Sequence, residues 1–246
     1  MQVIHAWKKI GETPLHTLER ARRDYGIKTG VQSCYTCRLD PMAQGIITLL
    51  YGEARHLSAV YNHASKTYVF QAILGASTDS YDAMGCITQA LEVTGEQAQL
   101  FTDTLLSKIG DGLEQALPAY SSYRYKGKPL WVHARDGTLP EVMPTRPVNV
   151  HSMELVTPFV QIPIHKYRAE VYDDILDVRA LSPDSFRYPE ILSGWKGAII
   201  PHVYRITLRV SVSSGTYVRS LVHDVGQELG IPAHAFRITR TRISTC

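Results

Sequence analysis

Two adjoining segments of the 246-residue sequence carry residue types suited to chemistry. Cys34-Tyr35-Thr36-Cys37 is a C-x-x-C pair, the spacing of half a zinc site or of a thiol–disulfide centre. A zinc site needs a second pair of ligands, yet Cys86 and Cys246 stand alone, with no cysteine or histidine beside them at ligand spacing. A redox centre would want a βαβ context, which the flanking sequence lacks. The thiols therefore read as ordinary reduced cysteines, and no metal is expected. The second segment is Arg38-Leu39-Asp40-Pro41-Met42-Ala43-Gln44-Gly45. Taken by itself, Asp-Pro ahead of an apolar stretch reads as a helix N-cap with proline in the first turn.

The elements around these segments are legible from pattern. Thr13-Pro14 is a helix start, with Leu15, Leu18, Ala21 and Tyr25 at helical spacing and Gly26 as the stop. The run from Lys66 to Gly75, rich in β-branched and aromatic residues, reads as a strand. An amphipathic helix with an acidic outer face is expected from Thr94 to Ile109. Ala119 to Tyr125 reads as a strand entering a turn at Lys126-Gly127-Lys128, with a short helix from Pro129 to Arg135. Strands are expected at 148–156 and 203–213. Val218, Leu221, Val222, Val225 and Leu229 follow one helical face, stopped by Gly230. Residues 236–243 alternate apolar with Arg and Thr, as an edge or surface strand does. Residues 157–200 carry Pro158, Pro163, Pro183, Pro189 and Pro201 and read as an insertion or a set of long loops. Strands and helices are intermixed without a βαβ rhythm, which points to an α+β fold with a mixed sheet.

Composition narrows the class. A hydrophobic fraction of 44% and a charged fraction of 20% suit a globular protein and exclude general disorder. No apolar run approaches the roughly 18 residues of a membrane span, and residues 1–7 do not read as a secretory signal. A cytoplasmic, membrane-free protein is the expectation. The net charge of +3 is mild, but its distribution is uneven. Basic residues gather in 1–30, in 121–135 and in the last forty residues, and acids gather in 90–115 and 168–190. Such asymmetry can build a positive face able to hold a polyanion, although solvated surface charge would give the same composition.

Five segments, in order, resemble the motifs of the TruB-type pseudouridine synthase family. R-L-D-P-M-A-Q-G-I-I-T-L-L-Y-G-E-A (38–54) resembles the family's L-D-P-x-A-x-G motif. Lys66-Thr67-Tyr68 with L-G-A-S-T-D-S-Y-D-A-M-G (74–85) resembles its K-x-Y and L-G-x-x-T-D-T-x-D-x-x-G. Q-A-L-P-A-Y-S-S-Y-R-Y-K-G-K-P (115–129), Arg146-Pro147 with 148–155, and S-S-G-T-Y-V-R-S-L-V-H-D-V-G-Q-E-L-G (213–230) match the rest. The resemblance spans about residues 30–243 and leaves 157–200 unmatched. It also departs from the family pattern: Cys34 and Cys37 stand where the family has glycines, and Tyr35 stands where it has histidine.

The resemblance implies an α+β fold with a mixed, mainly antiparallel sheet flanked by helices. It implies one catalytic domain over 1–246 with a variable insertion at about 157–200 and no PUA domain, from which weaker or altered tRNA affinity is expected. It implies an isomerase that turns a uridine of RNA into pseudouridine, at position 55 in the TΨC loop of tRNA, as a monomer without cofactor or metal. Asp40 is then the essential aspartate, Arg219 its salt-bridge partner and Tyr68 the tyrosine that stacks on the target base. Tyr217 and Ile238 would line the uracil pocket, and Tyr35 would stack on RNA. Arg124, Lys126 and Lys128 would meet phosphates, with Arg237, Arg240 and Arg242 as further candidates. An alternative is a non-catalytic tRNA-binding or RNA-folding module, which would need no nucleophile. A zinc or thiol-redox protein built on Cys34 and Cys37 is the third reading.

Overall fold

The structure, a computed structural model, describes residues 2–245, so Cys246 lies outside the described residues. Strand β1 (Gln2–Lys8) leads into helix α1 (Pro14–Asp24). Thr13 caps that helix: its hydroxyl accepts from the His16 backbone N–H, and the His16 ring reaches back to the Thr13 N–H. Leu18 and Ala21 are buried, whereas Leu15 and Tyr25 face solvent.

Strands β2 (Ser33–Thr36) and β3 (Gln44–Tyr51) follow, then a 3-10 turn (Gly52–Leu57) and the short helix α2 (Ser58–His63). Here the first expectation fails, because Asp40-Pro41 start no helix. Residues 40–43 form a turn that feeds β3, whose buried run IITLLY is short and rich in β-branched residues. An apolar run of that length is ambiguous in periodicity, and branching at Cβ tips it to strand.

Strands β4 (Ser65–Leu74), β5 (Ala76–Thr78) and β6 (Ile87–Ala90) precede helix α3 (Gly95–Leu106), which Thr94 and Gln97 close with a second capping box. After β7 (Gly110–Ala116) the chain is irregular up to a two-residue hairpin, β8 (Arg124–Tyr125) and β9 (Lys128–Pro129), which runs into α4 (Leu130–Arg135). The strand expected from Ala119 is thus confined to its last two residues.

The region 157–200 is not a set of loops. It is the end of the long strand β10 (Thr145–Pro163) followed by helices α5 (Ile164–Leu181) and α6 (Tyr188–Gly197). Two of its prolines sit at helix starts, Pro163 capping α5 and Pro189 in the first turn of α6. Proline costs a helix nothing there, because its missing N–H would have been unpaired. The chain ends in β11 (His202–Val212), α7 (Val218–Leu229) and β12 (Ala233–Ser244), with Gly230 capping α7 at φ +67°.

Eight strands form one mixed, mainly antiparallel sheet in the order β1-β3-β12-β4-β11-β10-β7, with β2 also paired to β3. Only the short β12–β3 contact is parallel. Strand β12 is therefore interior, correcting the edge strand read from its Arg/Thr alternation. One face of the sheet packs on α3 and α7 through Phe70, Phe101, Leu208 and Val222. The other packs on α5 and α6 through Ile73, Tyr167, Trp195 and Phe236. Each face removes apolar surface from water at about 25 cal/mol per Å², so α5 and α6 complete a second core on the face away from α3 and α7.

Candidate active site

The turn 37–43, the ends of β4 and β12, and the start of α7 converge on a cleft of about 450 Å³. Asp40, Tyr68, Tyr217, Arg219 and Ile238 all line it, with Arg124 at its edge. Residues separated by up to 198 positions are brought together because β12 threads between β3 and β4.

The floor is an ion pair. Arg219 Nε donates to Asp40 Oδ2 at 2.8 Å. The same guanidinium donates to the carbonyls of Ser80 at 2.6 Å and Tyr120 at 3.2 Å, so its orientation is fixed from three sides. Arg219 is buried and Asp40 is half-buried, its Oδ1 free of hydrogen bonds among the described residues. Burial alone would lower the Arg219 pKa; Asp40 and Asp82 outweigh that and raise it. Asp82, 3.7 Å from Arg219 Nε, is pushed upward by its own burial. It accepts from the Ser80 hydroxyl at 2.6 Å and the Met84 N–H at 3.0 Å, which leaves it committed to the 78–85 turn.

Tyr68 is buried on β4, opposite Arg240 of β12. Burial raises its pKa, and the Arg240 guanidinium pulls the other way. Tyr217 caps α7, and the buried Gln115 side chain clamps it: Oε1 accepts from its N–H at 2.8 Å and Nε2 donates to its carbonyl at 3.1 Å. Burial and Asp40 both raise the Tyr217 pKa.

The turn that carries Asp40 is held by Lys8, which sequence reasoning missed, and by Arg240, which it took for a phosphate contact. Arg240, fully buried, donates to the carbonyls of Cys37 at 2.6 Å, Ile46 at 2.7 Å and Arg38 at 3.3 Å. Lys8, also fully buried, donates to Ala43 O at 2.7 Å, with Lys9 and Pro41 carbonyls at 3.2 and 3.4 Å. Burial lowers the Lys8 pKa to about 8, against the raising influence of Asp40 and Glu12. Gly45 lets β3 and β12 approach: at φ +119°, a Cβ there would lie 2.2 Å from the Arg240 carbonyl. Cys37 adopts φ +57°, the left-handed conformation a glycine would take without cost. Its N–H bonds to Asn62 Oδ1 at 3.0 Å and its Sγ to the Tyr61 carbonyl at 2.8 Å, which holds it there. Cys34 lies in β2 and needs no such freedom. The signal for Lys8 and Arg240 was faint: each looks like a surface cation until the strand beside it is known.

Other expected site residues fall elsewhere. Tyr35 lines a neighbouring concavity with Leu15, Leu18 and Cys34, separated from the cleft by Cys37, Arg38 and Asn62. Lys126 sits at the hairpin tip with its Nζ 5.3 Å from the Tyr125 ring, outside the cleft lining. Arg237 is tied to carboxylates of α5 and Arg240 is buried on backbone carbonyls, so both guanidinium groups are engaged within the fold; Arg242 is exposed. Cys34, Cys37 and Cys86 are free thiols, and no cluster of three metal-ligating side chains occurs among the described residues.

Fold and cleft together define a class, the pseudouridine synthases. The chain is similar in fold to solved structures titled a Cbf5–Nop10–Gar1 complex (TM-score 0.57, 17% identity, covering 98% of this chain and 48% of that one) and an H/ACA RNP bound to a substrate RNA containing 2′-deoxyuridine (TM-score 0.53, 17% identity, 98% and 47%). Residues 22–171 match the N-terminal domain of the TruB family of pseudouridylate synthases. The chain is 32% identical over 242 residues to the tRNA pseudouridine synthase B of Deinococcus radiodurans, covering 98% of this chain and 73% of the relative. It is 29% identical over 237 residues to that of Idiomarina loihiensis, covering 96% and 61%. The chain belongs to the TruB family.

Proposed function

We propose that this pseudouridine synthase acts on a uridine of tRNA, the one at position 55 in the TΨC loop, and that Asp40 is the group that attacks the ribose side of the glycosidic bond. The observation that carries the reading is the floor of the cleft, where a carboxylate with one open oxygen is paired to a fully buried, triply anchored arginine. The reaction moves the C1′ bond from N1 of uracil to C5; the C5 proton leaves and N1 gains one, so nothing external is consumed. Such chemistry needs an anion beside the sugar and walls that retain the loose base. Asp40 supplies the first. Tyr68, Tyr217 and Ile238 supply the second, with Tyr68 stacking on the uracil.

Arg219 acts by holding Asp40 in place, since a fixed guanidinium orients a carboxylate. The target nucleotide must be flipped out of its loop, at a cost of a few kcal/mol that stacking in the pocket offsets. In this reading Arg124, which lines the cleft, and Lys126, outside it on the neighbouring hairpin, meet backbone phosphates, and Tyr35, in the adjoining concavity, stacks on a base beside the target. The continuous eight-stranded sheet supports reading the described chain as one catalytic domain. No helix among the described residues is long and apolar enough to cross a membrane. A cytoplasmic location agrees with the three free thiols.

Tritium release from tRNA transcript labelled at uridine C5 tests the reading, with wild type and Asp40→Asn side by side. Release by wild type alone, followed by mapping of the modified position, supports enzyme, residue and substrate. Tight tRNA binding with no release by either protein, on tRNA or other RNAs, would leave an RNA-folding module instead.

A further inference from the structure

Helix α5 contributes no residue to the lining of the cleft, yet two of its carboxylates are tied to the strand that forms one wall. Arg237 of β12 pairs with Glu170 at 3.0 Å and with Asp174 at 3.2 Å. Glu170 is held in turn by Arg205 of β11 at 2.8 Å. Arg237 adopts φ +44°, a left-handed conformation that is costly for a residue with a Cβ.

The register of β12 breaks at this residue. Phe236 stands opposite Gln71 and Thr239 opposite Val69, so β12 uses three steps where β4 uses two, which is a β-bulge. The consequence shows in which core each side chain enters. Phe236 packs against α5 and α6, whereas Ile238, two residues on, packs with the core of the opposite face and lines the cleft. In a regular strand, residues two apart share a face. Without the extra residue, Ile238 and Arg240 would point to the α5 side, because a one-residue slip turns every following side chain over. Arg240 would then lose the carbonyls of Cys37 and Arg38 and its hold on the turn of Asp40. Helix α5 also reaches that turn through Gly11. Gly11 donates to the Pro41 carbonyl at 3.0 Å, and a Cβ on Gly11 would lie 2.5 Å from the Asp177 carbonyl of α5.

We propose that Arg237, gripped by Asp174 and Glu170, is a positioning residue that holds the bulge and thereby delivers Ile238 and Arg240 to the active cleft; this rests on the pseudouridine synthase reading above. The region that the sequence reads as an insertion is then part of the catalytic apparatus at one remove.

The test uses the full chain in the tritium-release assay on tRNA, well below each variant's Tm. Asp174→Asn and Arg237→Ala are expected to lower kcat about ten- to a hundredfold, the order expected when catalytic groups shift by about 1 Å, with KM within about threefold of wild type. The deciding variant is the double Asp174→Asn/Arg237→Gly. Glycine takes the left-handed conformation without a carboxylate grip, so a device that works through the bulge is rescued towards wild-type kcat. A merely stabilising ion pair is not rescued, and the double variant would be no more active than Asp174→Asn. That result overturns the proposal, as does wild-type kcat in all variants. An inactive wild type would instead strike the functional reading itself.

Discussion

The molecule holds two arginine–carboxylate clusters whose burial is inverted. In the cleft the cation is hidden and the acid is open, side-chain exposure being 2% for Arg219 and 36% for Asp40. Behind the sheet the acid is hidden and the cation is open, 9% for Asp174 and 37% for Arg237. The chemistry of the pairs is the same; the group left accessible differs. An open carboxylate held by a buried cation is poised to act on something that enters, whereas a buried carboxylate with an open cation is spent on holding a strand. On the proposed function it is the free oxygen of Asp40, and not the ion pair as such, that sets the cleft apart.

The strongest way to break this contrast is at Asp40. Asp40→Asn keeps the shape and removes the charge, and tritium release is expected to fall on the order of 10⁴-fold, as for other essential catalytic groups. The equivalent change at Asp174 is expected to cost one to two orders of magnitude, so equal losses at the two sites would erase the distinction.

Arg219→Ala comes next. It strips a fully buried cation from Asp40, Ser80 and Tyr120, and about 3–5 kcal/mol of stability is expected to go with it, measured by urea unfolding. A loss below about 1 kcal/mol would mean that the site is open to water at its floor.

The α5 side can be probed by pH. His234 is fully buried; it bonds the Ala76 carbonyl at 2.7 Å and the Tyr167 hydroxyl at 2.6 Å, and burial lowers its pKa to about 4. The folded state thus holds it neutral while the unfolded chain protonates near pH 6.5. Its contribution is present above about pH 6.5 and is lost as pH falls towards 4, by about 3 kcal/mol. His223, likewise lowered to about 4 by burial, acts in the same window. Asp224, raised to about 6 by burial, acts oppositely, losing stability as pH rises towards 6. His234→Gln should therefore flatten, without abolishing, the acid limb of the stability profile. An unchanged limb would show that His234 is not held neutral.

The smallest effect is expected at Cys37. Cys37→Gly relieves the left-handed φ of +57° but adds unfolded-state entropy and gives up the Sγ contact. A gain of about 0.5 kcal/mol is expected from thermal unfolding with activity retained. A loss of stability would show that the Sγ contact to Tyr61 and the unfolded-state entropy outweigh the strain.

Much of this was readable in the chain. Thr13 announced its helix because capping is local chemistry, Val218–Leu229 followed from the 3.6-residue period that burial imposes, and β4 from its β-branched and aromatic residues. Asp40, Tyr68 and Arg219 were named through family motifs, and the structure brings all three to one cleft. Other readings failed where a local signal has two meanings. Asp40-Pro41 had the form of a helix start but turns into a strand, and the prolines of 157–200 looked like loop markers yet two begin helices.

What the sequence determined by itself was whatever depends on neighbours in the chain: caps, stops, periodicity and the residue types a motif requires. Only the tertiary structure decided that Lys8 and Arg240 are buried cations clamping the turn of Asp40, that β12 runs through the middle of the sheet, and that a bulge at Arg237 aims Ile238 into the cleft. Those facts depend on which strand lies beside which, and strand neighbours far apart in sequence are chosen by the packing of the whole core, of which no single segment carries a record.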